Sequence, residues 1–368
     1  MFSNHNFIAF LAVTLLCFFS CEKKEIIYDV PSSYNFENVN YEGQNQRIEM
    51  LTEFMAYVKS ASNAGISTIS KATMLNMYQN TNAPFSNPAL NQASTQLKNK
   101  THPEAQFYAE DLIEELEIVS QNMNVAASVG NSGVMVDAAS GGRYLLNENG
   151  VELGQVLEKL LVGATFYYQI TQVYLGENKI NTDNKGVIAG RGTNMEHHWD
   201  EAFGYFGVPK DFPSTTSDLL YLGNYSDKTN SIIGSNSKIM DEFLKGRAAI
   251  SAKDYPTRDS ARVSLKKSFE ILMAATSISF LNDAKANVSR LALYYHNLSK
   301  AYGNIMGLRY GAYTTLSDAE IDLILTYIGG SPDPLDADFY NASGQNIDKA
   351  IDAIADAFSD LTAVKNSL

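Results

Sequence analysis

Apolar residues recur along most of this chain at the three- and four-residue intervals that place side chains on one face of an α-helix. Strict alternation of apolar and polar residues, which is typical of strands, is rare. The apolar stripes cover residues 48–58, 103–123, 156–174, 239–250, 263–281, 291–305, 321–328 and 347–361. The pattern predicts an all-α fold, built as one helical bundle or as a pair of bundles.

Short polar signals predict where several of these helices begin and end. Pro103 suits the first position of a helix, and Ser317 with Glu320 fits a capping box. The Gly329-Gly330 pair is expected to end the helix that this box opens. We predict three long irregular stretches between the helices, at residues 124–150, 177–193 and 209–235. Connections of this length in a compact protein often carry function.

The N-terminal segment has the pattern of a targeting signal. The apolar run at residues 7–19 is short for a membrane span and has the length of a signal-peptide core. It ends at Ser20-Cys21, which resembles the lipobox at which bacterial lipoproteins are cleaved before a lipid-modified cysteine. We expect residues 1–20 to be a lipoprotein signal peptide, Cys21 the lipid anchor and 21–45 a flexible tether. A plain secretory signal and a buried N-terminus of a cytosolic protein are the alternatives.

Charge and cysteine content narrow the classes of function. The chain has 368 residues and a net charge of −13, and none of that charge lies in residues 1–20. Such an acidic protein repels phosphate, so nucleic acid is not an expected partner. Both cysteines, Cys17 and Cys21, belong to the targeting segment. A metal ion bound by the folded part would therefore need nitrogen and oxygen ligands.

Residues 193–207, T-N-M-E-H-H-W-D-E-A-F-G-Y-F-G, concentrate two of the five histidines beside several carboxylates. Thr193 and Glu196 fit a capping box, so that a helix is predicted to begin there. At 100° per residue, one face of this helix carries Met195, Trp199, Ala202, Phe203 and Phe206. A second face carries His197, His198 and Glu201, and Asp200 lies apart from both.

The cluster of His197, His198 and Glu201 has several possible roles. Imidazole and carboxylate groups one turn apart can share a metal ion or act as a base and its orienting group. They can equally form a solvent-exposed ion pair or a buried structural pair. The two adjacent histidines point about 100° apart on a helix, so binding of one metal by both is not easy. The zinc-protease pattern H-E-x-x-H is absent from this sequence.

The H-x-x-E at His198 and Glu201, in a mostly helical lipoprotein of this length, resembles the imelysin-like family. More closely, the chain resembles a divergent branch of Gram-negative envelope lipoproteins. The matching segments are E-K-L-L-V-G-A-T-F-Y-Y-Q (158–169), M-E-H-H-W-D-E-A-F-G-Y-F-G (195–207), G-R-A-A-I (246–250) and Y-H-N-L-S-K-A (295–301). The family pattern is G-x-H-x-x-E, and Glu196 stands here at the position of its glycine.

This resemblance implies a helical domain at residues 46–368 with two packed lobes, roughly 46–190 and 191–368. It implies an outer-membrane lipoprotein in the cell envelope, with exposure at the cell surface left open. It also implies iron acquisition, in which the protein binds iron, zinc, haem or another iron-uptake protein. A metallopeptidase that uses His198 and Glu201 is an alternative, and a non-catalytic interaction module with a structural His/Glu core is another.

Three further residues are expected to support this site. Arg247 lies on an apolar stripe, so its guanidinium needs a carboxylate or carbonyl groups if it is buried, and Glu201 and Asp200 are the candidate carboxylates. His296 shares a helix face with small residues and is expected to be a buried, hydrogen-bonded histidine, the alternative being that it approaches His198. Glu196 is expected to be occupied by the helix cap.

Overall fold

The computed structural model describes residues 27–63 and 68–368, and it confirms the all-α prediction. The helices are α1 (Glu42–Ser60), α2 (Lys71–Gln79), α3 (Pro88–Gln92), α4 (Pro103–Ser120), α5 (Leu153–Leu161), α6 (Glu177–Ile180), α7 (Asn194–Gly204), α8 (Leu222–Ile233), α9 (Ser235–Ala252), α10 (Tyr255–Ala286), α11 (Leu291–Gly307), α12 (Asp318–Gly329), α13 (Gly344–Ala357) and α14 (Ser359–Thr362). Short 3₁₀ turns lie at Lys98–Lys100 and Leu308–Tyr310, and the strands are β1 (Gly133–Val136) and β2 (Arg143–Leu146).

The predicted caps are present where the sequence places them. Pro103 is the first residue of α4, and Gly330 ends α12 in the left-handed conformation, at φ 77°. The Ser317 hydroxyl accepts from the backbone N–H of Glu320, whose carboxylate accepts in return from the backbone N–H of Ser317. These contacts satisfy backbone groups that a helix end leaves without partners. Helix ends are thus set by residues within one turn of them.

The stripe at 156–174 continues beyond α5 in a different winding. Residues Val162–Tyr167 and Gln169–Tyr174 form π-helical turns, which are rare and often occur near functional sites. Gly163 lies against Gly307 of α11, where an added Cβ would come within 2.4 Å of the Gly307 Cα atom. The widened turns therefore run where two helix backbones approach closely.

The three stretches predicted to be irregular contain regular structure, which corrects the sequence analysis. Residues 124–150 hold the antiparallel hairpin of β1 and β2, in which Val134 lies opposite Leu145. Residues 177–193 hold α6, and 209–235 hold α8.

Helix α8 lacks a clear apolar stripe because its buried face includes two hydrogen-bonded polar residues, Ser226 and Thr229. Ser226 donates to Asn236 of α9 at 2.7 Å, and Thr229 donates to the Tyr225 carbonyl at 2.9 Å. The stripe at 347–361 is also interrupted at Phe358, which separates α13 from α14. Phe358 has extended backbone angles, φ −113° and ψ 90°.

Buried apolar side chains from Tyr34 to Leu361 form one continuous core. Helix α10 crosses this core and packs against α9, α11 and α13, while α5 packs along α11. Residues near 155 therefore lie beside residues near 300, which positions the pocket described below. The division into lobes near residue 190 stays a prediction.

The targeting segment is not part of the described structure. The expected signal peptide at 1–20 and the expected anchor Cys21 lie outside the described residues. Across 27–63 and 68–368, no helix combines the length and the apolarity that a bilayer crossing requires.

Candidate functional site

Helix α7 carries the His-rich segment and is fixed by its apolar face, as predicted. Thr193 and Glu196 form the capping box, in which the Thr193 hydroxyl accepts from the Glu196 N–H at 3.2 Å. The Trp199 indole is fully buried and donates to the Phe243 carbonyl of α9 at 3.0 Å. Gly246 makes room for this ring, because a Cβ there would lie 2.0 Å from it. The orientation of α7 is therefore set by packing, and its polar face is set with it.

Arg247 pairs with Asp200, one of its two expected partners, and also with Glu196. It does not pair with Glu201. Its Nε donates to Asp200 Oδ1 at 2.8 Å, and its Nη1 donates to Glu196 Oε1 at 2.8 Å. The Tyr34 hydroxyl donates to the same Asp200 oxygen at 2.8 Å. Burial raises the pKa of Asp200 to about 7, since the contacts with Arg247 and Tyr34 only partly offset it. This network ties α7 to α9 and to the segment before α1.

His198 and Glu201 form a largely buried pair, in which the side chains are 11% and 16% exposed. His198 Nδ1 lies 2.9 Å from Glu201 Oε2, and His197 Nε2 lies 3.8 Å from the same oxygen. Gln44 donates to the other oxygen, Oε1, at 3.1 Å and also lies 3.3 Å from the Tyr174 hydroxyl. Burial opposes ionisation of Glu201, but the hydrogen bond from His198 and the charge of His197 outweigh it and lower its pKa.

This arrangement does not fit a metal centre. Both histidines face a single carboxylate oxygen, and Gln44 occupies the other oxygen of Glu201. No group of three or more His, Cys, Asp or Glu side chains in the part of the chain that the structure describes is arranged to hold a metal ion. We therefore derive no metal-dependent step from His197, His198 and Glu201.

His296 does not join His198 but forms a second His/Glu pair. Its Nδ1 lies 2.5 Å from Oε2 of Glu152, a residue just before α5. The side chains of His296 and Glu152 are 15% and 9% exposed, and the Tyr144 ring lies 4.5 Å from the imidazole. The expected hydrogen bond of His296 is present, with a partner that sequence analysis had not named, but the residue is half-buried and lines a pocket rather than being fully buried.

This second pair lies in a pocket of about 460 Å³ between α5 and α11, here named the α5–α11 pocket. Its charged lining consists of Lys59, Arg143, Glu152, Glu158, Lys159, His296 and Lys300. Binding sites for small molecules are usually preformed concave pockets of this size. The lining therefore marks a candidate binding site, distinct from the polar face of α7.

A buried ion pair forms one wall of the pocket. Glu158 Oε1 lies 2.8 Å from Lys159 Nζ, and its other oxygen, Oε2, lies 2.5 Å from Lys59 Nζ. Glu158 and Lys159 are 6% and 7% exposed, which is unusual for either residue type. Burial alone would raise the pKa of Glu158, but the charges of Lys159 and Lys59 outweigh burial and hold it at about 2. The carboxylate is thus fully ionised at neutral pH and neutralises much of the surrounding lysine charge.

Two other cations of the pocket have no carboxylate partner within the described ranges. Arg143 donates from Nε to the Ser62 carbonyl at 2.6 Å, and Lys300 lies 5.5 Å from the centre of the Phe280 ring. Burial, and then the neighbouring charge of Lys159, lower the pKa of Lys300 to about 8. The pocket therefore carries positive charge in a protein whose net charge is −13.

Sequence analysis missed every charged residue of this pocket except His296. One signal was available, because Glu158 and Lys159 interrupt the apolar sequence V-L-E-K-L-L-V and would need partners if that helix were buried. A second signal was the four-residue spacing of His296 and Lys300, which places both on one helix face. Neither signal identifies Arg143, whose place depends on the β1–β2 hairpin.

Comparison with known proteins gives one family match. The model of a domain of unknown function, DUF4856, matches residues 31–360. The match includes both His/Glu pairs and the whole lining of the α5–α11 pocket. No curated protein matches the chain, and no solved structure does.

Proposed function

The chain belongs to the DUF4856 family, and we propose that it is an envelope protein that binds a small organic anion in the α5–α11 pocket. The observation that carries this proposal is the pair of cations, Arg143 and Lys300, that face the pocket without a carboxylate partner in the described residues. An anionic ligand would supply the missing partner.

The energetics of the pocket support an anion. A guanidinium offers a planar set of donors that matches a carboxylate or phosphate in two-point contact. The Nε of Arg143 is held by the Ser62 carbonyl, which leaves its terminal nitrogens for a ligand. The surrounding wall is rigid because Glu158 and Lys159 are buried and paired. Preorganised charges of this kind favour binding, since little ordering is needed on association.

The α7 cluster supports a structural role, the third alternative raised by the sequence. Gln44 and His198 hold both oxygens of Glu201, and Arg247 joins Asp200 and Glu196 across two helices. Most polar atoms of this cluster are paired, although His197 Nδ1 and Asp200 Oδ2 have no hydrogen-bond partner among the described residues, and such buried networks tend to fix one arrangement of the surrounding helices. In this proposal, α7 organises the fold and the α5–α11 pocket binds the ligand.

Isothermal titration calorimetry of the purified chain with citrate, phosphate and neutral glycerol tests the proposal. We expect the anions to bind and to raise the melting temperature, whereas glycerol does neither. Arg143→Ala should weaken anion binding by about 10-fold or more, because a charge-assisted contact is removed. Lys228→Ala is the matched control, since Lys228 is 37% exposed and pairs with Asp283 outside the pocket. Absence of anion binding, or equal losses in both variants, would overturn the proposal.

The proposal retains the lipid anchor at Cys21, the outer-membrane location and a role in iron acquisition, which the resemblance implies. A ferric citrate complex is anionic and therefore matches the charge of the α5–α11 pocket. Tighter binding of ferric citrate than of citrate, with the same dependence on Arg143, would support iron acquisition. Weaker binding of the ferric complex would contradict that part of the proposal and leave anion binding in place.

A further inference from the structure

Lys300 is placed differently from the other lysines around it. The ammonium groups of Lys159, Lys228 and Lys300 lie 5.8, 5.9 and 5.5 Å from the centre of one ring, that of Phe280. Lys159 is paired with Glu158, and Lys228 is paired with Asp283. Lys300 is the member of this trio that has no ion pair in the described part of the chain, and it faces the pocket.

The groups that face Lys300 favour its uncharged form. Lys159 contributes a like charge from α5, and burial opposes a charge that has no carboxylate in contact with it. The carboxylates of Glu152, Glu158 and Asp283 act on Lys300 in the opposite direction, but their effects are smaller. The resulting pKa of about 8 leaves roughly a tenth of Lys300 as a neutral amine at pH 7. An ordinary lysine has about 200-fold less neutral amine at that pH.

The neighbours of Lys300 supply two further groups that a reaction of its amine with a carbonyl acid would need. His296 lies one turn away on the same face of α11 and is hydrogen-bonded to Glu152, so that a proton donor or acceptor is at hand. Arg143 lines the same pocket and can hold a carboxylate. An amine, a proton-transfer group and an anion-binding group thus share one cavity.

We propose that Lys300 is a carbonyl-reactive amine that forms an imine with a 2-oxo acid, whose carboxylate is held by Arg143. This inference rests on the proposed anion binding and names the class of anion. A 2-oxo acid carries a carbonyl group for the amine and a carboxylate for the guanidinium. Activation of a lysine by a second cation and a partly dry site is an established route to a nucleophilic amine.

The reaction needs no oxidant or cofactor. The lone pair of neutral Nζ forms a bond to the carbonyl carbon, and the C=O π electrons move to oxygen, which takes a proton. The nitrogen then releases a proton to give the neutral carbinolamine, whose hydroxyl group is protonated and leaves as water while the nitrogen lone pair forms the C=N bond. The remaining N–H proton is lost to give the imine, so the two protons lost by nitrogen equal the two gained by oxygen. Amine and ketone thereby give an imine and one water molecule, with His296 as the group placed to move the protons.

The test is reductive trapping in the full chain, with pyruvate as the probe and cyanoborohydride as the trapping reagent, followed by peptide mass spectrometry. At pH 7 we expect the adduct on Lys300 to form at least about 10-fold faster than on Lys228, the matched lysine at the same ring. Labelling should rise as the pH increases through about 8. Lactate, which has the carboxylate without the carbonyl, should slow the labelling but form no adduct.

Two outcomes separate the imine from anion binding. Calorimetric binding of pyruvate and lactate without a Lys300 adduct would overturn the imine and leave the proposed function intact. Failure of every anion to bind, together with equal labelling of Lys300 and Lys228, would overturn both. Because the wild-type chain is mapped directly, the result does not depend on the folding of a variant. Lys300→Arg should remove the adduct while retaining the positive charge, and Lys228→Arg should not.

Discussion

At the residue scale, the most unusual feature is a pair of adjacent charged residues that are both buried. The Lys159 Nζ atom lies 2.8 Å from Glu158 Oε1, so that the two charges neutralise each other. The exposed Lys59 contacts the other carboxylate oxygen, Oε2. Removing two charges from water is costly, and their attraction offsets that cost only while both are present. The loss of either partner should therefore be far more harmful than an exposed ion-pair deletion.

We predict that Glu158→Gln lowers the free energy of unfolding by about 3–5 kcal/mol at pH 7, since Lys159 would be left buried without its carboxylate. The pKa of Glu158 is about 2, below its unfolded value, so the pair stabilises the fold above about pH 4.5. This stabilisation is lost as the pH falls toward 2. Urea denaturation of both proteins at a series of pH values measures the difference.

The matched control for this prediction is Lys59→Met. Lys59 contacts the same carboxylate, but its side chain is 50% exposed, so the change should cost no more than about 1 kcal/mol. A similar loss in the Lys59 and Glu158 variants would contradict the distinction between the buried and the exposed contact.

The His198/Glu201 pair gives a second prediction at this scale. The double variant His198→Ala/Glu201→Gln should lose about 1–3 kcal/mol of stability, because Gln44 loses its ionised acceptor and the imidazole packing is removed. Citrate affinity at the α5–α11 pocket should stay unchanged. Denaturation and titration calorimetry measure the two quantities.

Metal analysis and a zinc-dependent peptidase assay complete that comparison. Protein purified without chelator should contain no stoichiometric iron, zinc or haem that depends on His198 and Glu201. Bound metal in the wild type that disappears in the double variant would instead restore the metal site that the sequence analysis weighed. Zinc-dependent cleavage that is lost with it would restore the metallopeptidase alternative.

At the element scale, the pocket depends on how closely α5 approaches α11. A Cβ at Gly303 would lie 2.5 Å from the Val156 carbonyl oxygen and 2.8 Å from the Val156 Cα atom. These are backbone atoms, which cannot move aside as a flexible side chain does. The small residue at position 303 is therefore a condition for the close approach that brings His296 and Lys300 beside α5.

We predict that Gly303→Ala lowers the free energy of unfolding by about 1–3 kcal/mol and weakens citrate binding, because α11 must shift away from α5. Gly344→Ala is the control, since a Cβ at Gly344 meets nothing within 4 Å. Thermal denaturation and calorimetry measure both effects. Unchanged citrate affinity in a destabilised Gly303 variant would show that the pocket does not require this spacing.

At the scale of the whole molecule, the net charge of the protein is opposite in sign to that of the α5–α11 pocket. The protein has a net charge of −13, and the pocket is lined by Arg143 and Lys300, which have no carboxylate partner among the residues that the structure describes. The negative field of the whole protein opposes the approach of an anion, so local contacts in the pocket must supply its affinity.

The expected anchor gives the prediction at this scale. Cys21→Ala should move the protein from the membrane fraction to the soluble fraction after cell breakage, because the lipid chain can no longer be attached. Fractionation with immunoblotting measures the change, and Cys17→Ala is the control, since Cys17 belongs to the segment expected to be removed. Firm membrane retention of the Cys21 variant would contradict lipid attachment at this residue.

The sequence by itself determined the parts of this protein that depend on neighbours along the chain. The apolar stripes gave the long helices, and the Thr193–Glu196 and Ser317–Glu320 boxes gave two helix starts. These features are readable because helical periodicity and capping involve residues only three or four positions apart. Helix α8 escaped detection because its buried face includes polar residues such as Ser226, which donates to Asn236 of α9, and a pattern of apolar residues does not reveal such a face.

Only the tertiary structure decided which charged groups meet. It pairs His296 with Glu152, which is 144 residues away, and it gives Arg247 to Asp200 and Glu196 rather than to Glu201. It also moved the candidate binding site from α7 to the α5–α11 pocket. The physical reason is that a buried charge takes whichever partner helix packing brings within about 3 Å, and that packing depends on the shape of the whole core.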